Sequence, residues 1–325
     1  MHRFLSHVLP LLALLVITKG AYVRLSDAGL GCPDWPGCYG RIVVPDAHEI
    51  VDRAKLAARP LETGKAWREM IHRYLASTLG ALILLLAASA WQARLPSALK
   101  ISLILVPLVV FQGLLGMWTV TLLLKPLIVV GHLIGGFTLL AILWWNLLEV
   151  RQSPRQASIS GVRQFAGAAI AVLAVQICLG GWTSANYAAL ACADFPRCQG
   201  RWWPDADFES AFVLWRGLGV NYEFGVLDTP ARTAIHLAHR LGAGLVLLVG
   251  IGLFAYTRRV VAAHGQRIAW CILALLCLQV ALGITNVLHG LPLPVAVLHN
   301  GVAAMLLLSL VTLFRYASPR SQIQE

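Results

Sequence analysis

The chain has 325 residues, of which 58% are hydrophobic and only 13% are charged, and its mean hydropathy is +0.72. A soluble protein of this length needs far more charge to cover its surface, so this composition excludes a soluble globular protein and predicts a polytopic membrane protein. The net charge of +11 is also typical of nucleic-acid-binding proteins, but its distribution along the chain argues against that function.

Eight apolar stretches are each long enough to cross about 30 Å of hydrocarbon, which takes roughly 20 helical residues. They cover residues 5–24, 71–92, 101–124, 127–148, 164–186, 233–256, 268–288 and 295–315. The first stretch is followed by a poor cleavage site, so we expect a helix there and not a signal peptide. The sequence therefore predicts an all-α membrane protein with eight transmembrane helices.

Basic residues concentrate on one side of these helices. With the N-terminus inside, the inner segments carry eleven Lys and Arg residues against two acids, Glu149 and Glu325. The eleven are Arg3, Arg94, Lys100, Arg151, Arg155, Arg163, Arg258, Arg259, Arg267, Arg315 and Arg320. This positive-inside bias predicts that both termini are cytoplasmic, and it accounts for the net charge without a nucleic-acid partner.

Several landmarks recur at one constant offset in residue number. The pairs are His72 with His239, Gln112 with Gln279, Gly116 with Gly283, and His132 with His299. The chain is therefore an internal duplication of two tandem four-helix bundles. Because each copy has an even number of helices, we expect a pseudo-two-fold axis along the membrane normal. The halves are predicted at residues 1–150 and 161–325, joined by a cytoplasmic linker at 151–160.

Each half carries two histidines at the outer ends of its even-numbered helices, His72 with His132 and His239 with His299. Hydrocarbon penalises an ionisable group that has no partner, so such residues point to function. Two histidines on facing helices supply both axial nitrogens to a haem iron. A buried histidine satisfied by hydrogen bonds is the alternative, but both pairs recur at the same spacing. Zinc is less favoured because it usually needs three or four close ligands.

Residues next to these histidines suggest further roles. Arg73 and Arg240 directly follow a histidine at the water interface, where a guanidinium either grips a haem propionate or extends to the lipid headgroups. Glu69 lies about one helical turn before His72, whereas the second half has His236 at that position. This difference predicts unequal halves, with Glu69 carrying protons in oxidation chemistry; the alternative is a helix cap.

A fainter repeat runs through the odd-numbered helices. Three of them have a glutamine followed four residues later by a glycine, and the first helix keeps only the glycine. These residues are Gln112 and Gly116, Gln176 and Gly180, Gln279 and Gly283, and Gly20. A glycine at such a position permits close approach of either a neighbouring helix or a flat cofactor.

Two long outer loops, Leu25–Met70 and Asn186–Arg232, each contain the pattern Cys-x-Asp-aromatic-Pro-x-Cys. Because these loops face an oxidising compartment, we expect the disulfides Cys32–Cys38 and Cys192–Cys198. The second bridge is interpreted as a structural staple. For the first, a redox-active pair is an alternative to a staple.

The combination of eight helices, Glu69-x-x-His72-Arg73, His132, His239-Arg240, His299 and the outer cysteine pairs resembles the haem A synthase family. The resemblance covers nearly the whole chain. It implies an oxidoreductase of the bacterial inner (cell) membrane that oxidises the C8 methyl group of haem O to a formyl group. It also implies two partners, haem O synthase upstream and the terminal oxidase that receives haem A.

The same resemblance implies a role for each site residue. His239 and His299 would ligate a permanent haem b, while His72 and His132 would hold the substrate haem O. Glu69, Cys32 and Cys38 would take part in catalysis. The additional histidine His236 raises the question of which neighbouring ring faces the iron, and the alignment of Arg240 favours His239.

Other functions remain as alternatives. A bis-histidine cytochrome b that only carries electrons would need two equivalent haem sites, which the exchange of Glu69 for His236 argues against. A membrane disulfide oxidoreductase that uses the outer cysteines leaves the four membrane histidines unexplained. A transporter built from a parallel repeat lacks a broken helix or a mid-membrane charge.

Overall fold

The computed structural model describes residues 1–46, 48, 50, 59–156 and 159–319. Several parts of the sequence-based predictions lie outside these residues. They are the inner charges Arg320 and Glu325, residues 157–158 of the predicted linker, and residues 47, 49 and 51–58 of the first outer loop.

Eight long helices confirm the predicted all-α membrane fold. They are α1 His2–Leu25, α2 Thr63–Gln92, α3 Pro96–Thr121, α4 Pro126–Val150, α5 Ser160–Ala185, α6 Thr229–Val260, α7 Ala263–Leu288 and α8 Leu293–Tyr316. Each of the eight is long and apolar enough to cross a membrane. A one-turn helix at Phe208–Ala211 interrupts the second outer loop, and the described residues contain no β-strand.

Two helices begin well before the apolar runs that predicted them. Helix α2 begins at Thr63 instead of residue 71, and α6 begins at Thr229 instead of residue 233. The start of α6 is set by Asp228, whose side chain accepts a hydrogen bond from the backbone N–H of Ala231 at 3.1 Å. Both helices therefore extend beyond the apolar run on the outer side, where a hydropathy pattern cannot detect them.

The helices pack as two groups of four. In the first group α1 contacts α2, α2 contacts α3, α3 contacts α4, and α4 returns to α1. The second group repeats this order with α5, α6, α7 and α8, and the groups meet through α1, α4, α5 and α8. This packing is compatible with two tandem bundles; the pseudo-two-fold axis and the domain boundaries stay predictions.

Burial follows from this arrangement. One continuous apolar core includes Leu9 of α1, Ile83 of α2, Leu140 of α4 and Leu313 of α8, all of them fully buried. Large apolar side chains on the outside of the bundle, such as Leu248 of α6, remain exposed because they face the hydrocarbon of the membrane. The histidine pairs lie toward the end of the bundle from which the two cysteine loops extend.

Candidate functional site

Each of the four predicted ligand histidines packs against one glycine of a neighbouring helix. A Cβ atom added to that glycine would lie 2.9 to 3.5 Å from Cε1 of the histidine ring. The pairs are Gly20 with His72, Gly116 with His132, Gly180 with His239, and Gly283 with His299. Each glycine of the repeat therefore makes room for one imidazole ring between two consecutive helices. We call these four contact points the glycine seats. This places all four histidines in one recurring environment.

The rings of His72 and His132 lie next to each other in the first half. Their centroids are 6.5 Å apart and their planes cross at 88°. A metal–imidazole nitrogen bond is about 2 Å long, so two rings on opposite sides of one ion have centroids roughly 6 Å apart. In both rings Nδ1 is buried without a hydrogen-bond partner. Such a pair suits two axial ligands of one iron, because coordination removes the cost of an unsatisfied buried nitrogen.

Glutamine side chains contact both histidines of the second half. Nε2 of Gln176 lies 3.1 Å from Nδ1 of His239 and donates to the backbone carbonyl of His239 at 3.0 Å. Nε2 of Gln279 lies 3.2 Å from Nε2 of His299. A side-chain partner fixes the orientation of an imidazole ring before any metal binds. The second-half histidines are therefore preorganised.

The corresponding glutamine of the first half differs in its hydrogen bonding. Nε2 of Gln112 is buried without a hydrogen-bond partner. The side chain packs on α4 at Gly135 much as Gln176 packs on α6 at Gly242, so the halves differ in the hydrogen bond and not in the position of the amide. Within the described part of the chain, neither His132 nor His72 has a side-chain hydrogen bond of the kind seen in the second half. The two histidine pairs thus occupy equivalent positions, but only the second-half rings contact glutamine side chains.

The chemistry of these donors fits haem better than a bare metal ion. Among the described residues no group of three or more His, Cys, Asp or Glu side chains is close enough to hold a metal ion. Two nitrogen ligands per site leave the remaining coordination positions to a macrocycle. Paired histidines on facing helices of a bundle therefore fit a haem in each half.

Glu69 lies inside helix α2 and not at its end. The helix begins at Thr63, so Glu69 is nearly two turns from the N-terminus and the predicted helix-cap alternative is wrong. The side chain is 4% exposed; Oε2 accepts the backbone N–H of Cys32 at 2.9 Å, and Oε1 forms an ion pair with Arg73. Glu69 therefore joins α2 to the first cysteine loop.

Arg73 and Arg240 hold the cysteine loops against the helices. Nη1 of Arg73 donates to the carbonyl oxygens of Asp34 at 2.9 Å and Gly37 at 2.5 Å. Nη2 of Arg240 donates to the carbonyls of Cys192 at 3.0 Å and Asp194 at 2.7 Å. Both guanidinium groups thus make loop contacts that the sequence did not predict. The expected propionate contact stays a prediction that these bonds do not support.

The additional histidine His236 contacts the second cysteine loop, as Glu69 contacts the first. Its Nδ1 lies 3.4 Å from the backbone nitrogen of Cys192 and 3.1 Å from the carbonyl oxygen of Ala188. The ring is 3% exposed and its neighbours belong to the second outer loop. His239, one turn further along α6, is the ring that packs on Gly180. The structure thus gives His236 a loop contact and leaves His239 in the interhelical position.

The two cysteine loops have the same fold. Cys32 and Cys38 are joined with S–S 2.01 Å, Cys192 and Cys198 with 1.96 Å, and all four residues are at most 1% exposed. In each loop the aspartate carboxylate accepts two backbone N–H groups: Tyr39 and Gly40 donate to Asp34, and Gln199 and Gly200 donate to Asp194. The bonds from Gly200 and Gln199 lower the pKa of the Asp194 carboxyl group below its usual value. Neither bridge presents sulfur to solvent.

A segment of the second outer loop reaches across to the first half. We call residues 213–224 the strap. The backbone N–H of Tyr222 donates to the carbonyl of Leu123 at 3.0 Å, and Glu223 forms an ion pair with Arg59. Nζ of Lys125 donates to the carbonyl of Gly217 and lies 3.3 Å from the centre of the Trp215 ring. The strap therefore covers the outer connection between α3 and α4, close to the helix that carries His132.

Sequence reasoning missed four charged residues near the first site. Lys125 and Arg59 both contact the strap, and no local sequence pattern indicates that this distant segment lies beside them. For Lys19 and Arg68 a signal existed. Lys19 is a charge inside the first apolar stretch, and Arg68 stands four residues before His72 on the same helical face.

Comparisons with known proteins identify the family of this chain. The family model COX15-CtaA, described as "Cytochrome oxidase assembly protein", matches residues 3–311. A protein from Shewanella oneidensis described as "Heme A synthase" is 48% identical over 95% of this chain and 94% of its own length. Proteins with the same description from Halalkalibacterium halodurans and Rhizorhabdus wittichii are 26% and 28% identical, over 91% and 94% of this chain.

Proposed function

Because the chain belongs to the COX15-CtaA family, we propose that it is a haem A synthase, an oxidoreductase that converts the C8 methyl group of haem O to a formyl group. It is a multi-pass membrane protein of eight helices. The observation that carries the proposal is the pair of histidine sites, similar in their glycine seats and different in their supporting residues.

The first half is proposed to bind the substrate. His72 and His132 would supply the two axial nitrogens to the iron of haem O, at the spacing their rings already have. Among the described residues no side-chain amide of a glutamine hydrogen-bonds to these rings, which suits a ligand that must enter and leave at each turnover. Glu69 of α2 belongs to this half alone.

The second half is proposed to hold a resident haem b between His239 and His299. When bound, haem b supplies one-electron transfer. The amides of Gln176 and Gln279 orient the two rings, which favours tight and permanent ligation. His236 would only support the loop above this site.

Glu69 is proposed as the proton acceptor of the reaction. Oxidation of a methyl group releases protons as well as electrons, so it needs a proton acceptor near the substrate in addition to the electron transfer that haem b would supply, and Glu69 lies one turn from His72. The N–H of Cys32 and the guanidinium of Arg73 hold its carboxylate in one orientation. The Cys32–Cys38 bridge would keep that N–H in place. A direct redox role of the bridge rests on the family resemblance.

Location and partners follow from the same proposal. The basic inner segments favour a bacterial inner (cell) membrane protein with both termini in the cytoplasm, so that the cysteine loops face the oxidising side. Haem O synthase would supply the substrate, and a terminal oxidase in assembly would receive haem A. No nucleic-acid partner is proposed.

The burial of the bridges weighs against a membrane disulfide oxidoreductase. Thiol–disulfide exchange requires a thiolate to reach a sulfur atom, yet Cys32 and Cys38 are both fully buried. The inequality of the halves weighs against a cytochrome b with two equivalent haems.

The proposal is tested by production of haem A. The chain is expressed in cells that make haem O but no haem A, and the haems are extracted and separated by mass. We expect haem A with the wild-type chain and haem O alone with His132→Ala. Extraction of haem O alone from cells that contain the folded, haem-b-loaded wild-type protein would overturn the assignment.

A further inference from the structure

Two cations flank one aromatic ring beside the first histidine site. Nζ of Lys19 in α1 lies 4.7 Å from the centre of the Tyr22 ring, and Cζ of Arg68 in α2 lies 5.6 Å from the same centre. Both cationic side chains are partly buried. They form what we call the Lys19–Arg68 pair.

Neither cation of the pair has an acidic partner within the described part of the chain, whereas the other cations of α2 nearby do. Lys65 pairs with Glu62 at 2.9 Å, and Arg73 pairs with Glu69. Two like charges that share one ring repel each other, and partial burial strengthens this repulsion. A negative group near both cations would therefore stabilise this arrangement.

The pair is adjacent to the proposed substrate site. Arg68 stands four residues before His72 on the same face of α2. Lys19 directly precedes Gly20, whose added Cβ atom would lie 2.9 Å from Cε1 of His72. An anion on the Lys19–Arg68 pair would thus sit within one helical turn of the His72 ring, on the outer side of the membrane.

The second half has apolar residues at the two corresponding positions. The offset that relates Gly20 to Gly180 and Cys32 to Cys192 places Leu179 at the position of Lys19. The offset that relates His72 to His239 places Ile235, which is fully buried, at the position of Arg68. The two cations therefore occur in one half only, the half that holds Glu69.

We propose that the Lys19–Arg68 pair is a carboxylate subsite that binds the propionate side chains of the substrate haem. The inference rests on the proposed function, since it requires haem O between His72 and His132. Haem propionates are the anionic groups of that substrate, and they extend from the edge of the macrocycle toward water. An ammonium and a guanidinium group both form charge-assisted hydrogen bonds with carboxylates.

The subsite also gives the substrate a fixed rotation about the axis through the iron. Two axial histidines leave the macrocycle free to turn, whereas anchored propionates determine which edge faces Glu69. Recognition of the carboxylates would thus select the methyl group that reacts. Resident haem b needs no such selection, which is consistent with Leu179 and Ile235 in the second half.

The test compares two ligands and matched variants. Purified protein loaded with haem b is titrated with haem O and with haem O dimethyl ester, whose propionates are neutral, and binding is followed by absorption. We expect wild type to bind the ester about tenfold or more weakly than the acid. Lys19→Leu with Arg68→Ile, which installs the second-half residues, should bind both ligands equally and weakly.

Controls separate the subsite from the fold and from the proposed function. Lys65→Gln removes a paired cation of α2 and should leave the preference for the acid intact, as should the charge-conserving pair Lys19→Arg with Arg68→Lys. The haem b spectrum reports whether each variant is folded. A double variant that still prefers the acid as wild type does overturns the subsite alone. Wild-type protein that binds neither ligand overturns the proposed function as well.

Discussion

Glu69 and His236 contact the same backbone group in opposite halves: Glu69 accepts the N–H of Cys32 at 2.9 Å, and Nδ1 of His236 lies 3.4 Å from the backbone nitrogen of Cys192 and 3.1 Å from the carbonyl oxygen of Ala188. The two positions are related by the offset that relates the other duplicated landmarks, such as His72 and His239. A carboxylate and an imidazole thus share one structural task. What differs between them is the charge and the ability to exchange a proton beside the histidine pair.

This relationship leads to a prediction for Glu69→Gln. The amide oxygen still accepts the N–H of Cys32, so haem b should be retained and haem O should still bind. Formyl product should fall by about 10²–10⁴, the range for losing a general acid or base, or roughly 3–5 kcal/mol of barrier. The measurement is the ratio of haem A to haem O extracted from cells that make the variant.

His236→Gln is the matched control for this variant. It preserves an acceptor for the N–H of Cys192, and its effect on the haem ratio should be small because no proton transfer is assigned to that half. A wild-type ratio in Glu69→Gln would remove Glu69 from the chemistry. Loss of haem b together with activity would give Glu69 a purely structural role.

The helices and the duplication were predictable from the sequence, because membrane thickness imposes the length of each apolar run and a repeated offset needs no coordinates. The starts of α2 and α6 were not predictable, since both helices continue past the apolar run into the outer loops. A helix cap was consequently the alternative to a proton-transfer role for Glu69, although α2 begins at Thr63.

The purpose of the glycine repeat also required the structure. Spacing identified Gly20, Gly116, Gly180 and Gly283, but the histidine that each one contacts lies on another helix. The strap is a second example. Its contact from Gly217 back to Lys125 joins the two halves of the chain, and no periodicity encodes such an approach.

We expect a methyl group added at a glycine seat to weaken haem binding, and one added in open space to have no effect. Gly20→Ala would place Cβ 2.9 Å from Cε1 of His72, so the ring must move. We expect haem O binding to weaken by about tenfold, the result of roughly 1.4 kcal/mol of lost ligation geometry, while haem b stays bound. Gly113→Ala in α3 is the control, because among the described residues no atom lies within 4 Å of its added Cβ. Equal affinities in the two variants would refute the seat.

We expect removal of the two disulfides to have different effects on stability and turnover. If Cys192–Cys198 is a staple, Cys198→Ser should lower the free energy of unfolding by roughly 2–4 kcal/mol while turnover per folded molecule survives. Cys38→Ser should lose turnover as well, because the N–H that orients Glu69 loses its support. Thermal unfolding and haem A formation by the folded fraction measure the two effects. A folded, haem-loaded Cys198→Ser protein without activity would speak against the distinction.

The strap predicts a change in protease sensitivity. Glu223→Gln removes the ion pair with Arg59, so the strap should open more often. Trypsin cleavage after the exposed Arg216 should accelerate by several-fold, as expected for an ion pair of up to about 1 kcal/mol. Glu62→Gln breaks the exposed pair with Lys65 on α2 and should leave the cleavage rate unchanged. Equal rates in wild type and Glu223→Gln would show that the ion pair does not hold the strap.

The most direct test of unequal halves is the haem content of the purified chain, determined by spectrum and mass. Protein from cells without haem O synthase should carry one haem b. Protein from cells with haem O synthase should carry haem b together with haem O or haem A. His299→Ala should abolish stable haem b, and His132→Ala should leave most of it in place. Two haem b groups per chain, lost equally in both variants, would contradict the account and identify a cytochrome b.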